Sequence, residues 1–358
     1  MTGLGWEDGI GGGGQGPQAP APSPNSNSSS PSLTLVTGGT GFVGRAVVEE
    51  LLARGRQVRV MVRSPEHPTL KGLQVELALG DLRDPASLER AVQGCTQVFH
   101  VAADYRLWVP DPAEMYAVNV EGTRSLLKAA AGAGVSRLVY TSTVGTLGNP
   151  GNGTPGTEIT PVSLGEMTGH YKRSKFLAEQ VVLEFAAQGL PVVLVHPSAP
   201  IGPWDSRPTP TGQMIVDFLK GRMPAYLETG LNLIHVRDVA QGHLLAEERG
   251  RSGEKYILGH ENLSLSQILR LLSEISGRPA PKVRLPYYPI LAMAYINEFW
   301  ATYISRRPPR LPLSAVKMAK KFMYFDNNKA KEELGLTLTP TRQALTDAVT
   351  WFRQHGYV

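Results

Sequence analysis

The amino-acid sequence predicts an α/β fold organised as a doubly wound, mainly parallel sheet. Short apolar runs rich in β-branched residues alternate with amphipathic helical patterns over about 165 residues after position 32. A glycine-rich turn joins the first predicted strand to the first predicted helix. Because strand–helix–strand crossovers are right-handed, successive strands would lie parallel and helices would cover both faces of the sheet.

The glycine-rich turn follows the apolar strand at 33–36 and opens an amphipathic helix at 42–52. Its glycines have the spacing G-x-x-G-x-x-G, which lets the backbone approach a pyrophosphate. The helix start adds free N–H groups and a positive dipole end. We predict a dinucleotide site, the alternative being a tight turn without a ligand. The predicted contacts are Gly38, Thr40, Gly41, Phe42, Val43 and Gly44.

The second predicted strand, at 58–62, ends in Arg63 instead of an acidic residue. A carboxylate at this point would bind the ribose diol of NAD, and it would repel a 2′-phosphate. A guanidinium pairs with that phosphate and stacks on adenine. Arg63 therefore favours NADP over NAD, unless it is simply a solvent-exposed arginine.

Two further strands are predicted at 75–79 and 98–103. Asp81 follows the first of them and is placed to accept a hydrogen bond from an adenine amino group or, alternatively, to cap its own loop. The second strand ends in small residues that let the backbone pass close under the cofactor. The predicted contacts of this group are Asp81, Leu82, Val101, Ala102 and Ala103.

The fifth predicted strand, at 137–141, is followed by Ser142 and Thr143, and the sixth, at 192–195, by His196-Pro197-Ser198. Open α/β sheets bind ligands at the carboxyl ends of their strands. A long helical pattern at 112–133 lies between the fourth and fifth strands and contains Asn119, a poor choice for packing alone.

Tyr171 and Lys175 are four residues apart in a helical pattern and would share one face of that helix. Tyrosine is a useful general acid near neutral pH when its pKa is lowered, and a lysine ammonium one turn away can lower it. A hydroxyl from Ser142 or Thr143 would hold the substrate oxygen. Y-x-x-x-K is common by chance, but here it follows a glycine turn and a Ser/Thr-ended strand.

Together these motifs resemble the extended short-chain dehydrogenase/reductase family, over residues 32 to about 352. The resemblance implies a Rossmann-type NAD(P)-binding domain with a smaller, mostly C-terminal α/β substrate-binding domain. More specific segments resemble bacterial hopanoid-associated sugar epimerases, which are close to dihydroflavonol 4-reductase-like proteins. Those segments are residues 101–108, 169–180 and 208–212.

The resemblance also implies roles for individual residues. Tyr171 would donate or accept the proton, and Lys175 would bind the ribose and lower the pKa of Tyr171. Thr143 stands at the third catalytic position, with Ser142 as the alternative. Pro197 and Ser198 would contact the cofactor, which is NADP with NAD as the alternative. His196 is expected to be structural and not catalytic.

The chain is predicted to have three parts. Residues 1–31, rich in Gly, Pro and Ser, would be a disordered tail, without the basic start and apolar core of a signal peptide. Residues 32–200 would form the nucleotide-binding domain, to which 230–262 return through a strand beginning near Leu233. Residues 201–229 and 263–358 would form the substrate-binding domain.

Two surfaces are candidates for substrate or partner binding. Tyr105, Arg106 and Trp108 follow the fourth strand and would line a substrate mouth, although a packed loop explains them almost as well. Residues 285–304 are rich in Tyr, Trp, Met and Ile and predict a core or dimer-facing helix. The alternative is peripheral contact with a lipid or membrane surface. Its cations would be Arg306, Arg307, Arg310, Lys317, Lys320 and Lys321.

Composition narrows the classes of function. The net charge of +5 is mild and its basic residues are scattered, so we expect no nucleic-acid binding. The single cysteine, Cys95, excludes an internal disulfide and fits a reducing compartment. The longest apolar run, 287–296, is about half a membrane span. We expect a cytoplasmic protein with no metal site, and the resemblance suggests a homodimer through helices at 112–133 and 168–188.

Three functions share these motifs. The first is an NADP-dependent carbonyl reductase or dehydrogenase with net turnover of the cofactor. The second is an epimerase of a sugar, polyol or lipid-linked substrate, in which hydride leaves and returns within one site. The third is a binding protein that senses the NADP pool, although such a protein would usually have lost Tyr171 or Lys175.

Overall fold

The computed structural model describes residues 32–106, 108, 109, 111–151, 153–305, 309 and 312–358. The predicted tail at 1–31 lies outside these residues, as do Leu107 of the 101–108 segment and the three arginines Arg306, Arg307 and Arg310.

A seven-stranded sheet forms the centre of the described chain, and every neighbouring pair of its strands is parallel. The strands lie in the order β10–β6–β5–β4–β1–β2–β3, with the following bounds: β1 Leu33–Thr37, β2 Gln57–Val62, β3 Glu76–Leu79, β4 Cys95–His100, β5 Arg137–Thr141, β6 Val192–Pro197 and β10 Lys255–Leu258. The order reverses beside β1, which places a crevice at the carboxyl ends of β1 and β4.

Helices cover both faces of this sheet, as a doubly wound fold requires. One face carries α1 (Phe42–Ala53) and α7 (Val236–Arg249), and their apolar side chains form one core cluster with the sheet. The opposite face carries α2 (Pro85–Val92), α4 (Gly122–Gly132) and α5 (Gly169–Ala187), which form a second cluster. The predicted α/β fold is therefore confirmed.

Local sequence accounts for several helix ends. The Asp84 side chain accepts from the Ala86 amide and starts α2, with Pro85 in the first turn. The long helix predicted at 112–133 is divided into α3 (Pro112–Tyr116), a π-helical turn at Ala117–Glu121, and α4.

A smaller sheet contains β7 (Ala199–Ile201), β9 (Gly230–His235) and β11 (Glu261–Ser264). Three helices pack with it into a third core cluster: α6 (Pro210–Leu219), α8 (Leu265–Ser276) and α11 (Thr341–Gln354). The Ser264 hydroxyl caps the start of α8, and Gly277, with φ +76°, ends the helix. A two-stranded pair, β8 (Ala225–Tyr226) and β12 (Val283–Arg284), lies outside both sheets.

One strand prediction was wrong. The strand near Leu233 does not return to the large sheet, because β9 pairs antiparallel with β11 and parallel with β7. The strand that returns is β10, whose Tyr256, Ile257 and Leu258 are fully buried beside β6. Near-continuous apolar character is typical of a strand covered on both faces. The domain division remains a prediction.

The C-terminal region also differs from one expectation. Residues 285–304 do not form a core helix, because α9 (Tyr287–Trp300) buries only Ala294 and is followed by a π-helical turn at Ala301–Ser305. The neighbouring helix is α10 (Leu313–Ala319). Within the described residues, every helix is too short or too polar to cross a membrane.

Candidate active site

The backbone of the glycine turn between β1 and α1 lies in close contact with the backbone of the loop after β4. Gly38 has φ +72°, a left-handed conformation that glycine adopts without steric cost. A Cβ atom on Gly38 would lie 2.6 Å from the backbone nitrogen of Ala102, and one on Gly44 would overlap the Gly38 carbonyl. The Gly41 amide donates to the Gly38 carbonyl at 2.9 Å and closes the turn. Two of the three motif glycines are therefore required by packing.

The N-terminus of α1 suits an anionic ligand. Gly41, its N-cap, has no side chain to cap the helix, so the first N–H groups, at Phe42 and Val43, lack an intrahelical acceptor. These amides and the positive end of the helix dipole favour a pyrophosphate. Thr40 belongs to the same turn, and its carbonyl accepts from the Thr69 hydroxyl at 3.2 Å. The predicted dinucleotide fits this cradle.

Arg63 follows β2 with an exposed side chain, at the edge where the adenosine half of a dinucleotide would lie. Asp81 is already engaged, because Arg83 donates to its carboxylate at 2.8 and 2.9 Å. These bonds lower the pKa of Asp81 to about 2, and the charge of Arg63 adds a smaller share. The Arg83 amide also donates to Asp81 at 2.9 Å, which is the loop-capping arrangement.

The loop after β4 passes directly against the glycine turn. The predicted strand at 98–103 ends earlier, at His100, and the amides of Val101 and Ala102 then donate to the Thr37 carbonyl and hydroxyl at 3.2 and 3.3 Å. Ala103 continues this half-buried segment. Leu82 lies in the core, where its side chain would meet a Cβ atom on Gly122 of α4.

Tyr171 and Thr143 meet at the carboxyl end of β5. Thr143 accepts a hydrogen bond from the Gly145 amide at 3.1 Å, which leaves its own proton for the Tyr171 phenol. Burial raises the pKa of Tyr171 to about 12, and the hydrogen bond with Thr143 acts in the opposite direction. Tyr171 is therefore a protonated phenol at neutral pH.

Lys175 lies one turn further along α5, and two hydrogen bonds hold its ammonium at the end of β5. Its ammonium donates to the Thr141 carbonyl at 2.7 Å and to the Tyr140 hydroxyl at 2.8 Å. Burial lowers the pKa of Lys175 to about 7. The predicted lowering of the Tyr171 pKa by Lys175 stays a prediction, as does its role as the ribose ligand.

Ser142 faces away from Tyr171, into a buried polar cluster around Glu179. Glu179 accepts from Ser142 at 2.6 Å and from Thr146 at 2.8 Å, and it pairs with His196 at 2.9 Å. Lys255 completes the cluster at 2.5 Å. Despite burial, His196 and Lys255 hold the pKa of Glu179 well below its usual range. The carboxylate thus holds the strand end that carries Thr143.

Sequence reasoning missed the roles of Glu179 and Tyr140. Glu179 is four residues after Lys175 on the same buried face of α5, and a charged residue at such a spacing on an apolar face was the available signal. Tyr140 gave no signal, because it reads as one more apolar residue of β5.

The end of β6 lies beside β10. Pro197 is buried as the last residue of β6, and the Ser198 amide donates to the Leu258 carbonyl at 2.9 Å. Within the described residues, the buried Ser198 hydroxyl has no hydrogen-bond partner. A buried hydroxyl without a partner costs free energy, so a polar group of a bound cofactor would satisfy it. His196 is fully buried and pairs with Glu179, which fits the structural role expected for it.

One residue of the proposed substrate mouth, Arg106, already forms ion pairs with neighbouring carboxylates. Arg106 pairs with Asp104 at 2.5 Å and with Glu114 at 3.4 Å, and these bonds raise its pKa. Tyr105 is 47% exposed and Trp108 is half-buried. Arg106 therefore resembles a packed loop residue more than a free ligand for an anion, whereas Tyr105 remains open to a substrate.

Asn119 joins this loop to the helix that carries Tyr171. Its side chain accepts from the Asp104 amide at 2.7 Å and donates to the Asp104 carbonyl at 2.9 Å. It also donates to Ser174 at 2.9 Å, and Ser174 donates to the Tyr171 carbonyl. This explains why a buried asparagine stands in an otherwise apolar helical pattern.

Arg207 was not singled out from the sequence. It is exposed on the loop before α6. Burial and then the charge of Arg207 lower the pKa of His67, whereas burial raises the pKa of Tyr105 and the charge of Arg207 acts in the opposite direction there. The positive charge of Arg207 therefore acts on both side chains.

The parallel sheet, the uncapped glycine turn and the Tyr–Lys helix define an NAD(P)-dependent enzyme of the short-chain dehydrogenase/reductase type. Residues 34–259 match the NAD dependent epimerase/dehydratase family, and the chain belongs to that family.

Individual relatives agree with this assignment. The chain is 49% identical over 328 residues to the "Putative dihydroflavonol 4-reductase" of Synechocystis sp., covering 90% of this chain and 95% of the relative. It is 38% identical over 327 residues to sterol demethylase protein B of Methylococcus capsulatus, covering 91% and 99%. A solved structure of a nucleoside-diphosphate-sugar epimerase from Pseudomonas aeruginosa is similar with a TM-score of 0.75 and 29% identity, covering 91% and 99%.

Proposed function

We propose that this enzyme transfers hydride between NADP and a hydroxyl or carbonyl carbon of its substrate, with net turnover of the cofactor. The observation that carries the proposal is the hydrogen bond between Thr143 and Tyr171, one helical turn from Lys175 at the carboxyl end of β5. The cofactor supplies or accepts the hydride, and the protein must supply or accept the accompanying proton.

Tyr171 is the proposed proton donor in carbonyl reduction. Its pKa of about 12 keeps the phenol protonated at pH 7, which suits donation to a developing alkoxide. Thr143 orients the phenol in the free enzyme, and when substrate binds its one hydroxyl proton is proposed to turn to the substrate oxygen. Lys175, fixed by Thr141 and Tyr140, is the proposed ribose ligand. Ser142 is assigned to support of the strand end, because Glu179 takes its proton.

The direction of catalysis separates two candidates. Net reduction is supported by Arg63 as a proposed 2′-phosphate ligand and by the dihydroflavonol 4-reductase name of a relative. Epimerisation with a recycled cofactor is supported by the family description and by the epimerase of similar structure. Stoichiometric oxidation of the reduced cofactor favours the first, and substrate conversion without net cofactor change favours the second.

The proposed substrate is a sugar, polyol or lipid-linked carbonyl compound, and the proposed setting is hopanoid biosynthesis. The name of sterol demethylase protein B, a relative at 38% identity, supports a polycyclic lipid substrate. A cytoplasmic homodimer paired through 112–133 and 168–188 belongs to the same proposal. Light scattering of the purified protein tests that dimer.

The decisive experiment compares Tyr171→Phe with wild type. We expect about 10²–10⁴-fold lower turnover with carbonyl substrates and unchanged NADP affinity, because the variant lacks only the transferable proton. Tyr303→Phe, at an exposed tyrosine, is the matched control and should keep full activity. If Tyr171→Phe binds NADP normally and wild type itself converts no substrate, the protein is a cofactor sensor and the proposal fails.

Cofactor choice is tested separately. Arg63→Ala should weaken NADP binding and leave NAD binding nearly unchanged, since only NADP carries the 2′-phosphate that a guanidinium binds. Titration calorimetry with both dinucleotides measures this, with the exposed Arg222→Ala as control. Equal losses for the two cofactors would contradict the assignment of Arg63.

A further inference from the structure

An extended apolar face lies on α9 and the turn that follows it. Eight large side chains are exposed there, and Tyr288, Ile296 and Tyr303 each expose more than 70% of their surface. Contiguous exposed patches of this kind mark interaction sites. We call this set the α9 face; its members are Tyr288, Met293, Tyr295, Ile296, Phe299, Trp300, Tyr303 and Ile304.

The α9 face is one-sided. Its members recur at helical spacings of three, four and seven residues, which places them on one half of the helix. The other half packs inward through Ala294 and Ala301, both buried. The single charged residue between 285 and 305, Glu298, is not among the exposed members, and it accepts from the Leu313 amide at 3.2 Å. The outward half therefore carries no charge.

Cations stand at the border of this face. On α10, the Lys317 ammonium lies 5.0 Å from the ring centroid of Tyr295. The Lys320 ammonium lies 5.9 Å from the ring of Tyr287, and Lys321 is exposed beside it. Tyrosine and tryptophan next to lysine are the combination that suits the boundary between acyl chains and anionic headgroups.

The α9 face is also connected to the active site. A Cβ atom on Gly169, the first residue of α5, would lie 3.4 Å from the Ser314 side chain of α10. Gly169 precedes Tyr171 by two residues. The helix that borders the apolar face thus packs against the start of the catalytic helix.

We propose that the α9 face seats the enzyme on the surface of an anionic lipid bilayer, with Lys317, Lys320 and Lys321 against the headgroups. This inference goes beyond the proposed hydride transfer and does not depend on it. A lipid surface is favoured over a second copy, because three lysines, Lys317, Lys320 and Lys321, border the described part of the face beside an outward half that carries no charge. The anionic headgroups supply the missing opposite charge.

The test is flotation of the full-length protein with phosphatidylcholine vesicles that contain or lack phosphatidylglycerol. We expect binding to the anionic vesicles, weakened by high salt because salt screens the lysines. Phe299→Glu should lower partitioning by at least about tenfold, since it puts a charge into the apolar half. Lys320→Ala should lower it by roughly fivefold.

Two control variants carry the same changes elsewhere. Ile159→Glu alters a side chain that is 88% exposed, and Lys331→Ala removes an exposed lysine outside the face. Both should float like wild type. Calorimetric NADP binding should be unchanged in every variant, which separates this inference from the proposed function.

Three results would overturn the proposal. They are absence of wild-type flotation, flotation of Phe299→Glu at the wild-type level, and a lipid-free dimer that Phe299→Glu dissociates in light scattering. The last result would assign the α9 face to contact between two copies of the chain.

Discussion

Two neighbouring hydroxyl groups at the end of β5 have different partners, and this difference matters for the chemistry. Ser142 is 5% exposed and donates to Glu179, whereas Thr143 is half-buried and hydrogen-bonds Tyr171. Consecutive residues of an extended segment point to opposite sides. One hydroxyl therefore serves the buried cluster, and the other is available to the proposed reaction.

Thr143→Val should lower turnover by about 10–100-fold, because it removes one positioned hydrogen bond to the reacting group. Since this bond lowers the pKa of Tyr171, its loss should raise that pKa and shift the rise of the alcohol-oxidation rate to higher pH, because oxidation needs the deprotonated phenol. Thr143→Ser keeps the hydroxyl and should therefore show the turnover and the pH dependence of the wild type. Ser142→Ala should mainly reduce stability, and a larger effect on turnover than that of Thr143→Val would reverse the assignment.

We expect the protein to lose stability in mild acid, because two of its histidines are buried and have lowered pKa values. Burial lowers the pKa of His100 to about 3 and that of His243 to about 4, and the charge of Lys175 adds to the effect at His100. Below their unfolded value of 6.5 the unfolded chain binds more protons, so stability falls as pH falls. The raised pKa of Asp205, about 6, opposes this by about 1 kcal/mol.

Between pH 7 and pH 5 each histidine should contribute about 2 kcal/mol of lost stability, for a net loss of about 3 kcal/mol. Urea unfolding at the two pH values measures this loss. His100→Gln should reduce it by about 2 kcal/mol, whereas the exposed His355→Gln should leave it unchanged. A loss that is the same in all three proteins would refute the explanation.

At the scale of elements, the backbone of the glycine turn lies against the loop after β4, at the proposed cofactor site. Gly38 and Gly55 share the same φ of +72°, but only Gly38 has a backbone neighbour where a Cβ atom would stand. Alanine substitutions at the two positions therefore separate the free-energy cost of a strained backbone from the cost of a steric overlap.

Gly55→Ala should cost about 1–2 kcal/mol of stability, which is the strain of a left-handed alanine. Gly38→Ala should cost more, roughly 3 kcal/mol or above, because the Cβ atom also collides with Ala102. It should also abolish dinucleotide binding, which Gly55→Ala should preserve. Chemical denaturation and calorimetry measure the two effects, and equal costs would contradict the role of this backbone contact.

At the scale of the whole molecule, stability is unevenly distributed. Phe352 on α11 is fully buried in the third core cluster, whereas Phe299 on the α9 face is 60% exposed. The same substitution at the two positions thus measures where the molecule is held together and where a face is left for a partner.

Phe352→Ala should destabilise the protein by about 3–5 kcal/mol, through lost burial and the cavity left behind. Phe299→Ala should change stability by less than about 0.5 kcal/mol, because solvent replaces the ring. Denaturant unfolding distinguishes them. A large effect at Phe299 would mean that α9 is held by contacts of its aromatic side chains and is not a free surface.

Much of the nucleotide-binding half could be predicted from the chain. The glycine spacing, the order of the strands at 33–37, 57–62 and 137–141, and the i,i+4 pair Tyr171 and Lys175 are local patterns. The hydrogen-bond and ion-pair partners of individual side chains were harder to predict. Arg106 pairs with Asp104 and Lys175 bonds Tyr140, and neither partner was assigned from the sequence.

The fold class, the glycine turn and the helix that carries Tyr171 follow from torsional preferences and periodicities that act over a few residues. The sheet that β9 joins, the hydroxyl that reaches Tyr171 and the exposure of α9 depend on distant segments. Ser142 meets Glu179 across 37 positions, and Asn232 of β9 meets the Phe325 carbonyl across 93. Burial and hydrogen bonding at such separations are set by the packed chain, because no local pattern specifies which remote group will satisfy a buried polar atom.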